Sequence, residues 1–363
     1  MKEHLEKIKL IRSFMQRHNL EALLLQRAGS FAWATCGSSS YINTASSDGL
    51  ASLLVTNEAN YLITTNIEAP RFEKEERLAE QGWNIQAFPW HENVDLIGKL
   101  TRGMRIGADG YYPGAIDVSG DLARFRSVLT PEEQERFREL SRLSAEAMDK
   151  TMRSIKPGFT EHQIAGLLAG ATEKRGVQAI VNLIATDERI YHFRHPLPTA
   201  KKLDQYAMVV LCGRKWGLVC SLTRLVHFGA MPAELIRKME AVARIDAQFI
   251  LSTRPGMELG KVFNKAIDVY TETGFPDEWR LHHQGGPAGF EPREFIATPA
   301  SPDIVSAGQV YAWNPSITGI KSEDTILVGK EENEVLTHIK GWPELRIDIN
   351  GKEFSRPGVL VIS

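Results

Sequence analysis

The chain has 363 residues, 43 Lys+Arg against 45 Asp+Glu for a formal charge of -2, and 43% hydrophobic and 24% charged side chains. That composition is globular, and the length suits about two domains. The balanced charge excludes the basic footprint of a nucleic-acid partner. Cys36, Cys212 and Cys220 are too few and too scattered for a disulfide scaffold or a CxxC zinc site, and read as reduced intracellular thiols. No stretch reaches about 18 uncharged apolar residues, and the first 25 residues carry charges every few positions, so no membrane association and a cytoplasmic location are expected.

In chain order, Leu5, Ile8, Ile11, Phe14 and Met15 recur at helical spacing and predict an amphipathic helix ending near His18 and Asn19. Short apolar runs at Ala22 to Leu25, Leu50 to Val55 and Tyr61 to Thr64 predict strands of a mixed sheet. Glycines and prolines cluster from Gly103 to Gly114, and after Leu129 a long charged amphipathic stretch begins. The domain boundary is placed there, giving an α/β domain of residues 1–128 and an α+β domain of 129–363.

The second domain opens with a capping box, Thr130, Pro131 and Glu133, which predicts a helix to about Ser154. Thr160 and Gln163 repeat the device, with Gly176 as terminator, and a further helix is predicted from Ala233 to Leu251. Strands are predicted at Tyr206–Cys212, Leu218–Val226, Val310–Trp313, Thr325–Val328 and Val359–Ile362, forming an antiparallel sheet against the helices.

Four polar clusters interrupt these strands: Tyr191 to Thr199 with His195 before Pro196, Leu211 to Arg224, His282 to Glu294, and Trp313 to Ser316 followed by Lys321 to Thr325. A residue before proline is held extended, which suits an imidazole projected from a loop.

The order of these clusters resembles the creatinase/prolidase/aminopeptidase P family of pita-bread-fold hydrolases over nearly the whole chain. Pro131-Glu132, Lys156-Pro157-Gly158-Phe159-Thr160-Glu161, His195 with Pro198-Thr199, Ser221-Leu222-Thr223-Arg224 and Glu323-Asp324-Thr325 match the family's motifs in sequence order. The resemblance implies a pita-bread C-terminal domain behind a smaller creatinase-type α/β domain, and a homodimer. The family's peptidases hold two metal ions with two Asp, one His and two Glu. Counted onto this chain, those positions carry Cys212 (or Val210 or Leu211), Ser221, Gly286, Asn314 and Glu323, of which only Glu323 is a family ligand. Closely spaced cations need bridging carboxylates, so neither a dinuclear metal centre nor any other cofactor is expected.

Creatinase-type members work without metal and use a His on the substrate-facing loop, the position of His195. The resemblance therefore implies a metal-independent C–N hydrolase of a small polar molecule or short peptide, with His195 transferring protons and Glu323 assisting. Arg194, Ser221, His282, His283, Arg293, Glu294 and Asn314 are the candidate substrate-binding residues. Arg293, at the family's second substrate-side His position, and Arg194 suit a two-pronged contact with a carboxylate. Plain alternatives stand beside these roles: a structural His195, a buried and satisfied Glu323, a surface ion pair between Glu294 and Arg293, and core roles for Trp216 and Trp313. Cys212 sits in an apolar strand and reads as inert packing rather than a nucleophile. His282 and His283 are neighbours, so on an extended segment only one is expected to face the cleft. Two other functions remain open: a metal-dependent Xaa-Pro aminopeptidase or dipeptidase, and a catalytically silent peptide- or protein-binding relative.

Overall fold

The computed structural model describes residues 2–349 and 351–363, which divide into two units: Met1–Arg126 with Trp216–Leu218, and Ser127–Lys215 with Val219–Ser363. In the first unit, helix α1 (Lys2–Arg17) buries Ile8, Ile11, Phe14 and Met15, whereas Leu5 points to solvent. Strands β1 (Ala22–Arg27), β2 (Asp48–Thr56), β3 (Asn60–Thr65), β4 (Asn84–Phe88), β5 (Ile106–Ala108) and β6 (Ile116–Asp117) form one mixed sheet in the order β4-β3-β2-β1-β5-β6. Alternate residues Leu24, Leu54, Ile63 and Ile106 share a core with Leu96, Ile97 and Leu100, as the two-residue side-chain period of strands requires. Helices α2 (Ala28–Ala34), α3 (Ala69–Lys74), α4 (Leu96–Leu100) and α5 (Ser119–Arg126) complete the unit.

The second unit starts with α6 (Pro131–Ser154) and α7 (Glu161–Glu173), and both begin in complete capping boxes. In each box the threonine hydroxyl accepts from the third-position backbone N–H, while the Glu133 or Gln163 side chain accepts from the threonine N–H. Strands β7 (Gln178–Thr186), β8 (Tyr206–Lys215) and β9 (Leu218–Phe228) follow, with the short α8 (Glu188–His192) between β7 and β8. In β8, Ala207, Val209 and Leu211 join the core of α6 and α7, while Met208 and Val210 join that of α9 (Ala233–Ser252) and α10 (Leu259–Glu272). Both faces of the sheet are covered, which explains why this strand reads as an unbroken apolar run rather than an alternation.

After a 3-10 turn at Glu278–Leu281 come β10 (Gly285–Ala288), β11 (Val310–Trp313), the hairpin β12 (Ser316–Ile317) and β13 (Ile320–Lys321), β14 (Asp324–Leu327) and β15 (Glu334–Val335). A second antiparallel sheet has the order β10-β11-β14-β15. The hairpin β16 (Glu344–Ile349) and β17 (Lys352–Pro357) precedes β18 (Leu360–Ile362). That last strand adds to β9 in parallel rather than antiparallel fashion, so the first sheet, ordered β18-β9-β8-β7, is mixed. A bridge from Thr223 to Glu323 joins the two sheets.

Where the sheets meet, charge is buried. Arg224 on β9 donates to Asp324 (2.8 Å), and Arg356 on β17 reaches both Asp324 (2.6 Å) and Asp246 on α9 (2.8 Å). Two cations and two carboxylates balance there, which is the condition for keeping such groups out of water.

Candidate active site

Successive side chains on an extended strand point to opposite sides, so Asp324 enters the buried network while Glu323 turns to the other face. Glu323 is 2% exposed. One carboxylate oxygen meets Arg293 at 3.0 Å; the other meets Lys321 at 2.7 Å and accepts from the Thr223 hydroxyl at 2.6 Å. Burial alone would raise this carboxyl, but the Lys321 and Arg293 charges outweigh it and bring it to about 2. Glu323 is thus ionised and fully partnered.

Arg293 is correspondingly occupied. Its guanidinium spans Glu323, the Ser221 hydroxyl at 3.0 Å and the carbonyl of Pro292, so it does not stand open as the two-pronged anion binder of the sequence reading. The reason is charge balance: an ionised buried carboxylate draws the nearest cations. Arg194 likewise turns to Glu278 at 2.8 Å and the Thr318 hydroxyl at 2.9 Å. Ser221 is wholly buried beneath the site, with Oγ 3.2 Å from the Cys212 sulfur, and burial pushes the Cys212 thiol up, away from the reactive thiolate. Glu294 accepts from the Phe290 N–H at 2.8 Å, capping its own loop.

Beside this group lies a cluster of imidazoles. His195 Nε2 is 3.0 Å from His282 Nε2, and His282 Nδ1 is 3.4 Å from the Asn314 amide nitrogen. The rings of His282 and His283 are stacked, with centroids 4.3 Å apart, and His283 lies 5.8 Å from His195. The expected opposition of the two neighbours therefore fails. His282 is itself extended, with φ −159 and ψ 149, but it lies outside any paired strand, and its ring folds back onto that of His283. Burial and then the nearby Lys321 charge lower the His282 pKa to about 2; burial and Arg293 lower that of His283 to about 4, and His195 moves the same way through burial and Lys321. At neutral pH all three rings are uncharged. Among the described residues, His195, His282 and His283 are the group of His, Cys, Asp or Glu side chains that can hold a metal ion.

Glycines let the backbones close up behind this cluster. Gly285 has φ +107, and a Cβ there would stand 2.1 Å from the Ala312 carbonyl; a Cβ on Gly286 would stand 2.5 Å from that of Phe295. Such approaches admit no side chain on this backbone.

Two contributors, Lys321 and Glu161, stand inside sequence motifs without a role assigned to them there. Lys321 is two residues from Glu323, a spacing that shares one side of an extended segment, and that signal was available. Glu161, buried on the first turn of α7, accepts from the backbone N–H groups of Thr186 and Thr199 (both 2.9 Å) and the Thr199 hydroxyl (2.7 Å), and pairs with Arg189. It thereby ties both ends of the segment that carries Arg194 and His195. Glu161→Gln is expected to destabilise that segment by about 2 kcal/mol, the range for losing charged hydrogen bonds. Hydrogen exchange across 187–198 would rise while that of α9 stays unchanged; uniform exchange in both would contradict this.

Residues 135–330 match metallopeptidase family M24, and the chain belongs to that family. It is 25% identical over 234 residues to an uncharacterized peptidase of Staphylococcus haemolyticus, a match covering 61% of this chain and 66% of the relative, just under two thirds of its length. The Xaa-Pro dipeptidase from Bacillus anthracis superposes with a TM-score of 0.79 at 19% identity, over 99% of this chain and 100% of that one. The prolidase from Pyrococcus horikoshii OT3 gives 0.78 at 19%, over 92% and 99%. The architecture is therefore the pita-bread fold with a creatinase-type N-terminal domain. Among the described residues no helix is long and apolar enough to cross a membrane.

Proposed function

We propose that this chain hydrolyses a C–N bond in a short peptide or small amide without the two-metal centre of its family. The carrying observation is the pairing of Glu323 with Arg293 and Lys321. Two divalent ions do not fit these residues: the carboxylate is already paired with a guanidinium and an ammonium, its neighbours Ser221 and Thr223 offer only hydroxyls, and Gly286 brings no donor. In this reading the protein's own cations supply the positive charge. With one carboxylate against Arg293 and Lys321, the site keeps an excess positive charge able to polarise a substrate carbonyl.

His195 is the proton-transfer group. Uncharged at neutral pH, it takes a proton from water attacking the carbonyl carbon, and that proton then passes to the departing nitrogen as the C–N bond breaks. Its orientation comes from His282, and that of His282 from Asn314. The Asn314 Oδ1 is buried without a partner. Turned toward His282 Nδ1 it gains a donor there, and His282 Nε2 then accepts from His195, freeing His195 Nδ1 as the base. Ile190, Phe193, Met208 and Ile320, with Arg194 and Ser316, line a small cavity against His282 and Lys321.

The comparisons favour a second reading, a metal-dependent Xaa-Pro peptidase, because the solved relatives named above are an Xaa-Pro dipeptidase and a prolidase. One experiment separates the two. Metal content of the purified protein is measured, and turnover of Xaa-Pro dipeptides and small amidino and N-methyl amino-acid compounds is assayed with and without chelator. The expected result is turnover insensitive to chelation. Two tightly held ions per chain and chelator-sensitive Xaa-Pro cleavage would replace the proposal with the second reading. Binding of these compounds without any turnover would identify a silent binding module.

A further inference from the structure

We infer that His195, His282 and His283, none of them at the family's five ligand positions, form a site for a single late transition-metal ion that acts on the enzyme as an inhibitor. The ligating atoms of the three rings all lie within 4.8 Å of one another. His195 Nε2 and His282 Nε2 are 3.0 Å apart. Two imidazole nitrogens each about 2.1 Å from a common ion stand roughly 3.0–3.4 Å apart at right-angled to tetrahedral geometry, so this pair is already at ligating separation. The third ring has only to close by a small rotation.

Hydrogen bonding points the same way. Two neutral imidazoles can share one N–H between facing nitrogens, but a third packed against them finds no complement, and His283 Nδ1 is enclosed without a partner. An ion accepts lone pairs from all three at once. His195 is exposed, which gives an entry path and leaves room for water at the remaining positions. A set of three neutral nitrogens, with no thiolate and no carboxylate in the cluster, selects zinc, copper, nickel or cobalt over magnesium, calcium or manganese. The neighbouring Lys321 and Arg293 charges oppose a dication, so moderate affinity is expected rather than the grip of a structural site.

The inhibitory consequence rests on the proposed role of His195, because a neutral imidazole that binds an ion through Nε2 keeps its proton on Nδ1, the atom that would act as the base. The binding itself does not rest on it. The test is titration of chelator-treated protein with zinc and with cobalt, followed by calorimetry and by the visible absorption of bound cobalt. Wild type is expected to take up one ion with a tetrahedral cobalt spectrum. His283→Ala should weaken it, and the His195→Ala/His283→Ala pair should abolish it, while manganese gives no uptake. No cobalt spectrum at about 0.1 mM ion, or one ion retained by the double variant, would overturn the site. Zinc bound at this site without loss of turnover would overturn its inhibitory role, and would at the same time count against His195 as the proton carrier. Absence of binding would leave the hydrolase reading untouched.

Discussion

Glu323→Gln is expected to destabilise the protein by about 3–5 kcal/mol, the range for removing one partner of a buried ion pair. The substitution keeps the shape but leaves Arg293 and Lys321, 3.0 and 2.7 Å from the same carboxylate, facing each other without a counter-charge. The size can be checked independently through pH. The Glu323 carboxyl falls from an ordinary 4.5 to about 2 in the folded chain, so its contribution is complete above the unfolded value and is lost as pH falls from 4.5 through 2. That shift corresponds to about 3 kcal/mol. His282 and His283, lowered to about 2 and about 4, work in the same direction: below about 6.5 the unfolded chain takes up protons the folded one refuses, and stability falls. Urea denaturation of wild type and variant at several pH values measures both effects. A Glu323→Gln protein as stable as wild type at pH 7, with the same acid limb, would mean that the two cations do not depend on this carboxylate.

His195→Ala should cut turnover of whichever C–N substrate the screen identifies by about 10²–10⁴-fold, the usual contribution of a positioned acid–base group. Because His195 is exposed, its loss should leave stability nearly unchanged, so the effect separates from misfolding. The pH profile supplies a signature that a structural histidine would not give. With the His195 pKa lowered by partial desolvation against its neighbours and by Lys321, wild-type activity should decline only below the ordinary histidine value of 6.5, and His195→Ala should lose that limb. Unchanged turnover in the variant would remove His195 from the mechanism.

What could be read from the sequence follows the range of the forces involved. Both capping boxes were legible because a cap is a contact three residues long, and α6 and α7 begin at the residues they mark. Helix α10 went unread although Leu259, Val262, Phe263, Ala266, Val269 and Tyr270 are its buried stripe. Its first turn follows Glu258, which makes no side-chain cap, so the usual start signal is missing. The parallel addition of β18 to β9 has no local signature at all, since it joins residues more than a hundred positions apart.

The site shows the same division. The clusters around His195, His282 and Glu323 were visible as polar interruptions of apolar strands, and the chain brings them together. The orientation of each side chain was not visible. Arg293 faces Glu323 across 30 positions and Arg194 faces Glu278 across 84, and such pairings are decided by which charges burial forces together. Glu161 could be quoted as part of a motif, but its grip on Thr186 and Thr199 belongs to the folded loop alone.

The close approach at Gly286 bears on whether this chain can be converted by design. Placing a histidine at 286 would drive its Cβ to within 2.5 Å of the Phe295 carbonyl, so an engineer installing donors one codon at a time would meet a backbone collision before reaching a second ion. The shorter route is a graft in which the segment from His282 to Ala297 is exchanged as a block with that of a metal-binding relative. At 286 a single substitution would first require the segment from Phe295 to Ala297 to shift.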